Sequence, residues 1–341
     1  MVSTKQHNLC FIGFGNVGRA LARLLSVKSG ELAAQFGIEY RITGVATRRL
    51  GWLCQPEGFR FEELLRLDDE HHNALRGENY SQWLALSKPA AVFETTSLNH
   101  ETGQPAIDYL KEVLQAGAHA ITANKGAVVH GYDQLTKLAT TVGKRFYFES
   151  TVADSAPIFS LFREALPAST LRGFSAILSS TCSVILETME AGRTFEEGVR
   201  IAQELGITET DPGHDVDGWD ATVKVCAMVR VLMGVSLKPN DVYREGIRGL
   251  LSAELQAARA EGKPYKLVAR ASRTGNGLVA AAVCPEQVAQ IDPLANVRGT
   301  SLAVHFELDT MPGLTITSHR PNLQSTAYGL LADFINAVRA G

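Results

Sequence analysis

Long apolar runs are missing from this sequence. No stretch approaches the roughly 18 uninterrupted apolar residues that suggest a membrane helix, and the polar opening MVSTKQHN leads straight into an apolar strand without the layout of an export signal. The expected location is therefore the cytoplasm. Charge of one sign is never gathered into a block: 33 Lys and Arg face 36 Asp and Glu, for a net charge of −3, and the basic residues are scattered. A nucleic-acid surface needs clustered basic side chains and is excluded, which leaves a small metabolite as the expected partner. Cysteine is scarce too. Cys10, Cys54, Cys182, Cys226 and Cys284 are odd in number, widely spaced and mostly set in apolar sequence. They read as reduced core thiols rather than a disulfide framework, and none has the spacing of a zinc site.

What the chain does have is 341 residues, 45% of them hydrophobic, more than one ordinary core comfortably holds, so two domains are expected. The segment NLCFIGFGNVGRALARLL reads as an apolar strand, a glycine-rich turn and a helix with Val17, Ala20, Leu21, Leu24 and Leu25 on one face. Gly37 closes that helix, and a second strand follows over Tyr40 to Thr47. Further strands fit Ala90 to Thr96, His119 to Asn124 and Arg145 to Ser150, with helical patterns between them. Strands alternating with helices predict an α/β fold, a Rossmann-type doubly wound parallel sheet over roughly the first 150 residues. Beyond Ser150, strand-like LRGFSAILSS, NVRGTSLAVHFELD and GLTITS mix with helix-like FEEGVRIAQELG and WDATVKVCAMVRVLMG, which predicts a second, α+β domain. The chain ends on an amphipathic helix, STAYGLLADFINAVRAG.

Gly13, Gly15 and Gly18 match G-x-G-x-x-G directly after a strand and at the opening of a helix. There the glycines allow a tight turn and close backbone approach, while the helix start at Asn16 and Val17 offers N–H groups to a pyrophosphate. An NAD-preferring site usually carries an acid near the end of the second strand. Here that strand ends in Thr47, Arg48 and Arg49, with no carboxylate. Two guanidiniums suit the additional phosphate of NADP, and solvated loop arginines are the competing explanation.

The most charged stretch is ETDPGHDVDGWDATVK, Glu209 to Lys224. Aligned as a calcium loop it puts Gly213 at the first ligand position and Lys224 where a bidentate Glu belongs, so that reading fails at both ends. Asp215 and Asp217 suit a loop or cap. Asp220 and Lys224 stand four apart at the start of an otherwise apolar helix, so they share a face that enters an interior or a cleft, where charges persist only when paired or used. Lys125, in ITANKGAVV, follows a buried-type strand at the end where open α/β sheets bind ligands, and is a candidate acid or base. The run DDEHH, Asp68 to His72, has consecutive residues that do not converge on one metal ion.

These segments together resemble the homoserine dehydrogenase family in its short form, without an ACT domain. The likeness runs through FIGFGNVGRAL, TTSLNHETGQPAIDYL, ITANKGAVV, FESTVADSAP, AQELGITETDPGHDVDGWDATVKV and TAYGLLADF. It implies a dinucleotide-binding domain over 1–150, a catalytic and dimerisation domain over 151–310 and a segment over 311–341 returning to the cofactor domain. The implied reaction interconverts L-homoserine and L-aspartate 4-semialdehyde with NADP(H), NAD being possible, as a step of threonine and methionine biosynthesis in a homodimer.

Carried over by motif, Lys125 and Lys224 would stand at the reacting oxygen, and Glu209 and Asp220 would hold the substrate amino group and orient Lys224. Thr181 would touch substrate, and Thr95, Thr96, Ser97 and Lys125 would join the glycine loop around the cofactor. Glu149, with the carbonyls of Val152 and Asp154, would bind a monovalent cation, Na or K. The chain departs from the family at Val152 to Pro157, Ser179 to Ser183 and Ser318 to Gln324. These changes keep open a related oxidoreductase acting on another small hydroxy acid or semialdehyde. A non-catalytic NADP sensor would not need Lys125, Asp220 and Lys224 together.

Overall fold

The first apolar stretch forms β1 (Lys5–Ile12), in which Leu9, Cys10 and Phe11 are fully buried. They are inaccessible because β1 is flanked on both sides, by β2 (Ile38–Thr47) and by β5 (Ala91–Glu94), each paired in parallel. The computed structural model describes residues 4–67, 74–154, 156–208, 210–275 and 277–339. The chain divides into two units, Met1–Ser155 with Asn322–Gly341, and Ala156–Pro321.

In the first unit β3 (Gly51–Cys54), β4 (Leu75–Gly77), β6 (His119–Thr122) and β7 (Phe146–Tyr147) complete a seven-stranded sheet of order β4-β3-β2-β1-β5-β6-β7. The order turns back beside β1, which makes the carboxyl ends of β1 and β5 a ligand-binding crevice. The helices α1 (Asn16–Phe36), α2 (Tyr80–Ser87), α3 (Ala106–Gln115) and α4 (Lys125–Thr141) connect the strands. Helix α1 ends as its sequence predicts, on Gly37 with φ of 64°, a left-handed conformation that glycine adopts without strain.

Two expectations are corrected here. The sheet is not parallel throughout, because β3 runs antiparallel to β2 and β4 antiparallel to β3; GWLC and LRG are too short to show a strand period. The strand expected over Arg145 to Ser150 stops at Tyr147, and Glu149–Thr151 forms a 3-10 turn. The Glu149 amide donates to the Asp333 carboxylate at 2.8 Å instead of to a neighbouring strand. Asp333 belongs to the C-terminal helix (Leu323–Arg339), whose Ala327, Leu330, Leu331 and Phe334 join the core of this unit beside α1.

The second unit is built on a six-stranded sheet of order β13-β12-β8-β10-β11-β9. Its strands are β8 (Leu171–Ile177), β9 (Tyr243–Arg244), β10 (Tyr265–Arg273), β11 (Val279–Gln287), β12 (Leu302–Leu308) and β13 (Leu314–Ser318). Strand β11 is rich in alanine and contains Pro285, a weak strand signature that its long antiparallel pairing with β10 overrides. Helices α5 (Ser180–Glu190), α6 (Phe195–Glu204) and α7 (Trp219–Met228) follow β8. Helix α6 opens on a capping box between Thr194 and Glu197. The five cysteines are free thiols, and among the described residues no helix is long and apolar enough to cross a membrane.

Trp83 anchors the edge of the first sheet. It is fully buried, donates from Nε1 to the Leu53 carbonyl at 2.7 Å, and occupies the space a side chain at Gly44 would need, 2.7 Å from that position. Replacing it with Ala leaves a cavity and an unpaired carbonyl, for an expected loss of about 3–5 kcal/mol. Denaturant unfolding followed by circular dichroism checks this, and an unchanged midpoint would show that the β3–β4 edge contributes nothing to the core.

Candidate active site

At the carboxyl edge of the first sheet the glycine turn opens into a cavity of about 520 Å³ lined by Gly13, Gly15, Thr47 to Trp52, Thr95 to Ser97 and Tyr109. Gly13 has φ of 84°, and a Cβ there would lie 2.6 Å from the Thr95 carbonyl oxygen. Any other residue would push the β1 and β5 ends apart. A Cβ on Gly15 would meet nothing within 4 Å, so the backbone here is open to a ligand. Asn16, Val17 and Gly18 form the first turn of α1, which carries no acidic residue. The N–H groups of such a turn lack intrahelical acceptors and attract an anion.

The β2 strand ends in a turn closed by the Leu50 amide on Thr47 Oγ1 at 2.9 Å. The turn leaves Arg48 and Arg49 exposed at the wall of the same cavity. Trp52 and Tyr109 belong to a ring cluster with Tyr80 and Trp83, at centroid separations of 5.0 to 5.8 Å. An open glycine, a bare helix start, two guanidiniums and an aromatic wall fit a dinucleotide. Lys125 is the first residue of α4 and half-buried, after Asn124, whose side chain accepts from the Gly126 amide at 3.0 Å. It does not line the cavity.

In the second unit, α7 brings Lys224 Nζ to 2.9 Å from Asp220 Oδ2, with both side chains mostly buried. Lys224 also donates to the Leu178 carbonyl at 2.6 Å, just beyond the end of β8. Asp215 joins them. Its Oδ2 accepts from Thr208 at 2.8 Å and Thr181 at 3.0 Å, and burial first, then the charge of Asp220, pushes its carboxyl above the usual range. Cys182 donates to the Asp215 carbonyl and is an inert thiol, raised to about 12 by burial.

Asp215 was legible only as a loop or cap. No spacing marked it, because it reaches the pair through the fold of α5, whose Thr181 is fully buried beneath it. Asp217, its neighbour in sequence, turns the other way, to Arg248 at 2.6 Å. Arg244 stacks 3.8 Å over the Trp219 ring and donates to the Asp217 carbonyl, clamping the start of α7. Asp211 accepts from the Gly213 amide at 2.9 Å. Glu209 lies outside the described residues, as does the run Asp68 to His72.

The residues expected around a cation stand where β7 leaves the sheet. Glu149 and Val152 are buried, and Asp154 has φ of 56° and accepts from Thr326 Oγ1 at 2.9 Å. Among the described residues no three His, Cys, Asp or Glu side chains gather as metal ligands. A cation there would depend on backbone carbonyls, and an oxygen-only set with one carboxylate suits a hard ion of low charge.

Comparison with known proteins places both units in one group. The family model "Homoserine dehydrogenase, NAD binding domain" matches residues 13–149, and "Homoserine dehydrogenase" matches residues 157–335. A protein of Pseudomonas canavaninivorans named NAD(+)-dependent homoserine dehydrogenase is 31% identical over 337 residues, covering 97% of this chain and 96% of its own. The homoserine dehydrogenase of Sulfurisphaera tokodaii is 30% identical over 96% of this chain and 97% of its own. Among solved structures, a hyperthermophilic archaeal homoserine dehydrogenase in complex with NADPH superposes with a TM-score of 0.81 at 27% identity, over 99% of each chain.

The raised Asp215 carboxyl carries a stability prediction. Such a group contributes stability that is full below its unfolded value near 3.8 and lost as pH rises through the folded one. Asp215→Asn keeps an oxygen for both threonine hydroxyls and removes the ionisation. The variant is expected to melt at or above the parent temperature at neutral pH and to lose that advantage near pH ~4. Melting below the parent at both would show that folding needs the carboxylate.

Proposed function

This chain belongs to the homoserine dehydrogenase family, and we propose that it interconverts L-homoserine and L-aspartate 4-semialdehyde with NADP(H) as preferred cofactor. The observation that carries the reading is the Lys224–Asp220 ion pair set beside Asp215. An ammonium held by a carboxylate can transfer a proton at the substrate oxygen, and nearby carboxylates are suited to the substrate's own ammonium.

When bound, the nicotinamide cofactor supplies or accepts the hydride. In the reductive direction the Lys224 ammonium gives a proton to the carbonyl oxygen and is left as a neutral amine; in the oxidative direction that neutral amine takes the hydroxyl proton and becomes the ammonium, whose positive charge stabilises the developing alkoxide. Asp220 orients Nζ from the preceding helical turn. Glu209 and Asp220 hold the substrate ammonium, with Asp215 supporting them on its hydrogen bond from Thr181. Lys125 is the second candidate for the proton step.

Gly13, Gly15, Asn16, Val17 and Gly18 hold the pyrophosphate, Thr95, Thr96 and Ser97 line the cofactor cavity, and Arg48 and Arg49 select the 2′-phosphate. The NAD(+)-dependent name of the Pseudomonas relative makes NAD the alternative cofactor. Glu149, Val152 and Asp154 complete the reading as a monovalent-cation site, in a cytoplasmic homodimer. A different small hydroxy acid or semialdehyde is the second reading, favoured by the altered segments at Val152 to Pro157, Ser179 to Ser183 and Ser318 to Gln324.

The test is oxidation of L-homoserine with NADP and with NAD, followed by absorbance of the reduced cofactor. Lys224→Met is expected to lower kcat about 100- to 10,000-fold with cofactor affinity within a few-fold of the parent. Unchanged turnover would remove Lys224 from the mechanism, and absence of turnover in the parent, with NADPH bound, would favour the second substrate. Arg48→Ala with Arg49→Ala is expected to raise KM for NADP ~10-fold or more and leave KM for NAD nearly unchanged. Equal effects on both cofactors would refute phosphate selection.

A further inference from the structure

One buried carboxylate in the first unit has no part in the proton chemistry and yet faces the cofactor edge. Glu94, the last residue of β5, is 0% exposed. Its Oε1 accepts from the Thr96 amide at 2.8 Å and from the Thr96 hydroxyl, and its Oε2 accepts from the Thr122 hydroxyl at 2.6 Å. Thr122 Oγ1 accepts in turn from the Asn124 amide at 2.9 Å. Asn124 caps α4 through the Gly126 amide and reaches back with Nδ2 to the Ser97 carbonyl at 3.4 Å. Two loops, Thr95 to Ser97 after β5 and Ala123 to Lys125 after β6, are thus cross-braced through one side chain.

The pairing of the strands does not require this brace. Backbone bonds already join them, including the Ala123 amide to the Glu94 carbonyl at 3.1 Å and the Thr95 amide to the Ile12 carbonyl at 2.8 Å. For stability alone an apolar residue would serve better, since burying a carboxylate is costly even when it is hydrogen-bonded. Burial pushes the Glu94 carboxyl upward, and its hydrogen bonds from Thr122, from the Thr96 side chain and amide, and from the Asn124 side chain oppose that push. Its donors are the Thr96 amide and hydroxyl in the loop after β5 and the Thr122 hydroxyl at the last residue of β6, all at the ligand edge of the sheet.

The position of those loops decides what the brace controls. Arg48 and Arg49 at the end of β2 mark the adenosine side of the crevice, so the β5 and β6 ends lie on the nicotinamide side. We propose that Glu94 is a positioning residue for hydride transfer, holding the Thr95–Ser97 loop and the Lys125 end of α4 in the one arrangement that seats the nicotinamide ring. The proposal rests on the dinucleotide reading of the cavity. It concerns the geometry of the bound ring and leaves overall cofactor affinity to the glycine turn and the arginines.

The test compares Glu94→Gln, Glu94→Asp and Glu94→Ala with the parent. The readouts are NADPH affinity, emission lifetime of the bound nicotinamide, melting temperature, and kcat and KM. Glu94→Ala and Glu94→Asp, which cannot span Thr96 and Thr122, are expected to keep NADPH affinity within about threefold while kcat falls ~100-fold, the scale of a 1 Å misplacement. The bound-ring lifetime should shorten towards that of free NADPH. Glu94→Gln retains one oxygen for Thr96 and should recover at least ~10-fold of the lost kcat.

Parent-like kcat and lifetime in Glu94→Asp would overturn the proposal, as would a loss of kcat matched by an equal loss of affinity and a lowered melting temperature. Should Glu94→Ala not fold, the Asp and Gln pair decides alone. Should the parent bind NADPH but not oxidise L-homoserine, the substrate assignment falls, and the lifetime comparison still decides the role of Glu94.

Discussion

The backbone at Gly13 passes the backbone at Thr95 with no room for a side chain between them, and the rest of the cofactor edge depends on that approach. A Cβ at Gly13 would stand 2.6 Å from the Thr95 carbonyl, while the Gly13 amide is held by the Ala46 carbonyl at 2.8 Å and its carbonyl by the Thr95 hydroxyl at 2.9 Å. Three strand ends, those of β1, β2 and β5, are thereby locked to one another at main-chain distance. The turn that follows must then deliver α1 with its first N–H groups towards the crevice, and the Thr95–Ser97 loop becomes its opposite wall. Glu94, directly beneath, carries the same constraint across to β6 and Lys125.

The second unit solves a different problem, the burial of charge. Asp220 and Lys224 pair on α7, and the charges of both act on the Asp215 carboxyl in the segment before it; two carboxylates cannot both remain ionised in a desolvated place without a cation or several donors. Lys224 neutralises Asp220, and the hydroxyls of Thr181 and Thr208 support Asp215. The arrangement is held by half-buried Arg244 on Trp219 and by exposed Arg248 on Asp217. Burial, more than the charge of Asp220, raises the Asp215 carboxyl, and carboxylates perturbed in this way gather at functional sites.

The sequence by itself determined the class of the fold and the main chemical groups, because those depend on local pattern. A strand, a glycine turn and a helix are contiguous, so G-x-G-x-x-G in that context announces its structure. Likewise Asp220 and Lys224 are one helical turn apart, and their pairing needed only an apolar helix around them. Tertiary structure alone decided what depends on distant segments meeting. Asp215 became part of the site because Thr181, 34 residues away, lies beneath it, whereas Asp217 was turned outwards by Arg248. Glu94 lies in the strand expected over Ala90 to Thr96, where no local pattern sets it apart, and Thr96 and Thr122 close on it in the fold. The strand expected to continue through Ser150 was ended by Asp333, 184 residues later. Periodicity records which face of an element is buried; it carries no record of which remote hydroxyl or carboxylate will complete a hydrogen bond there.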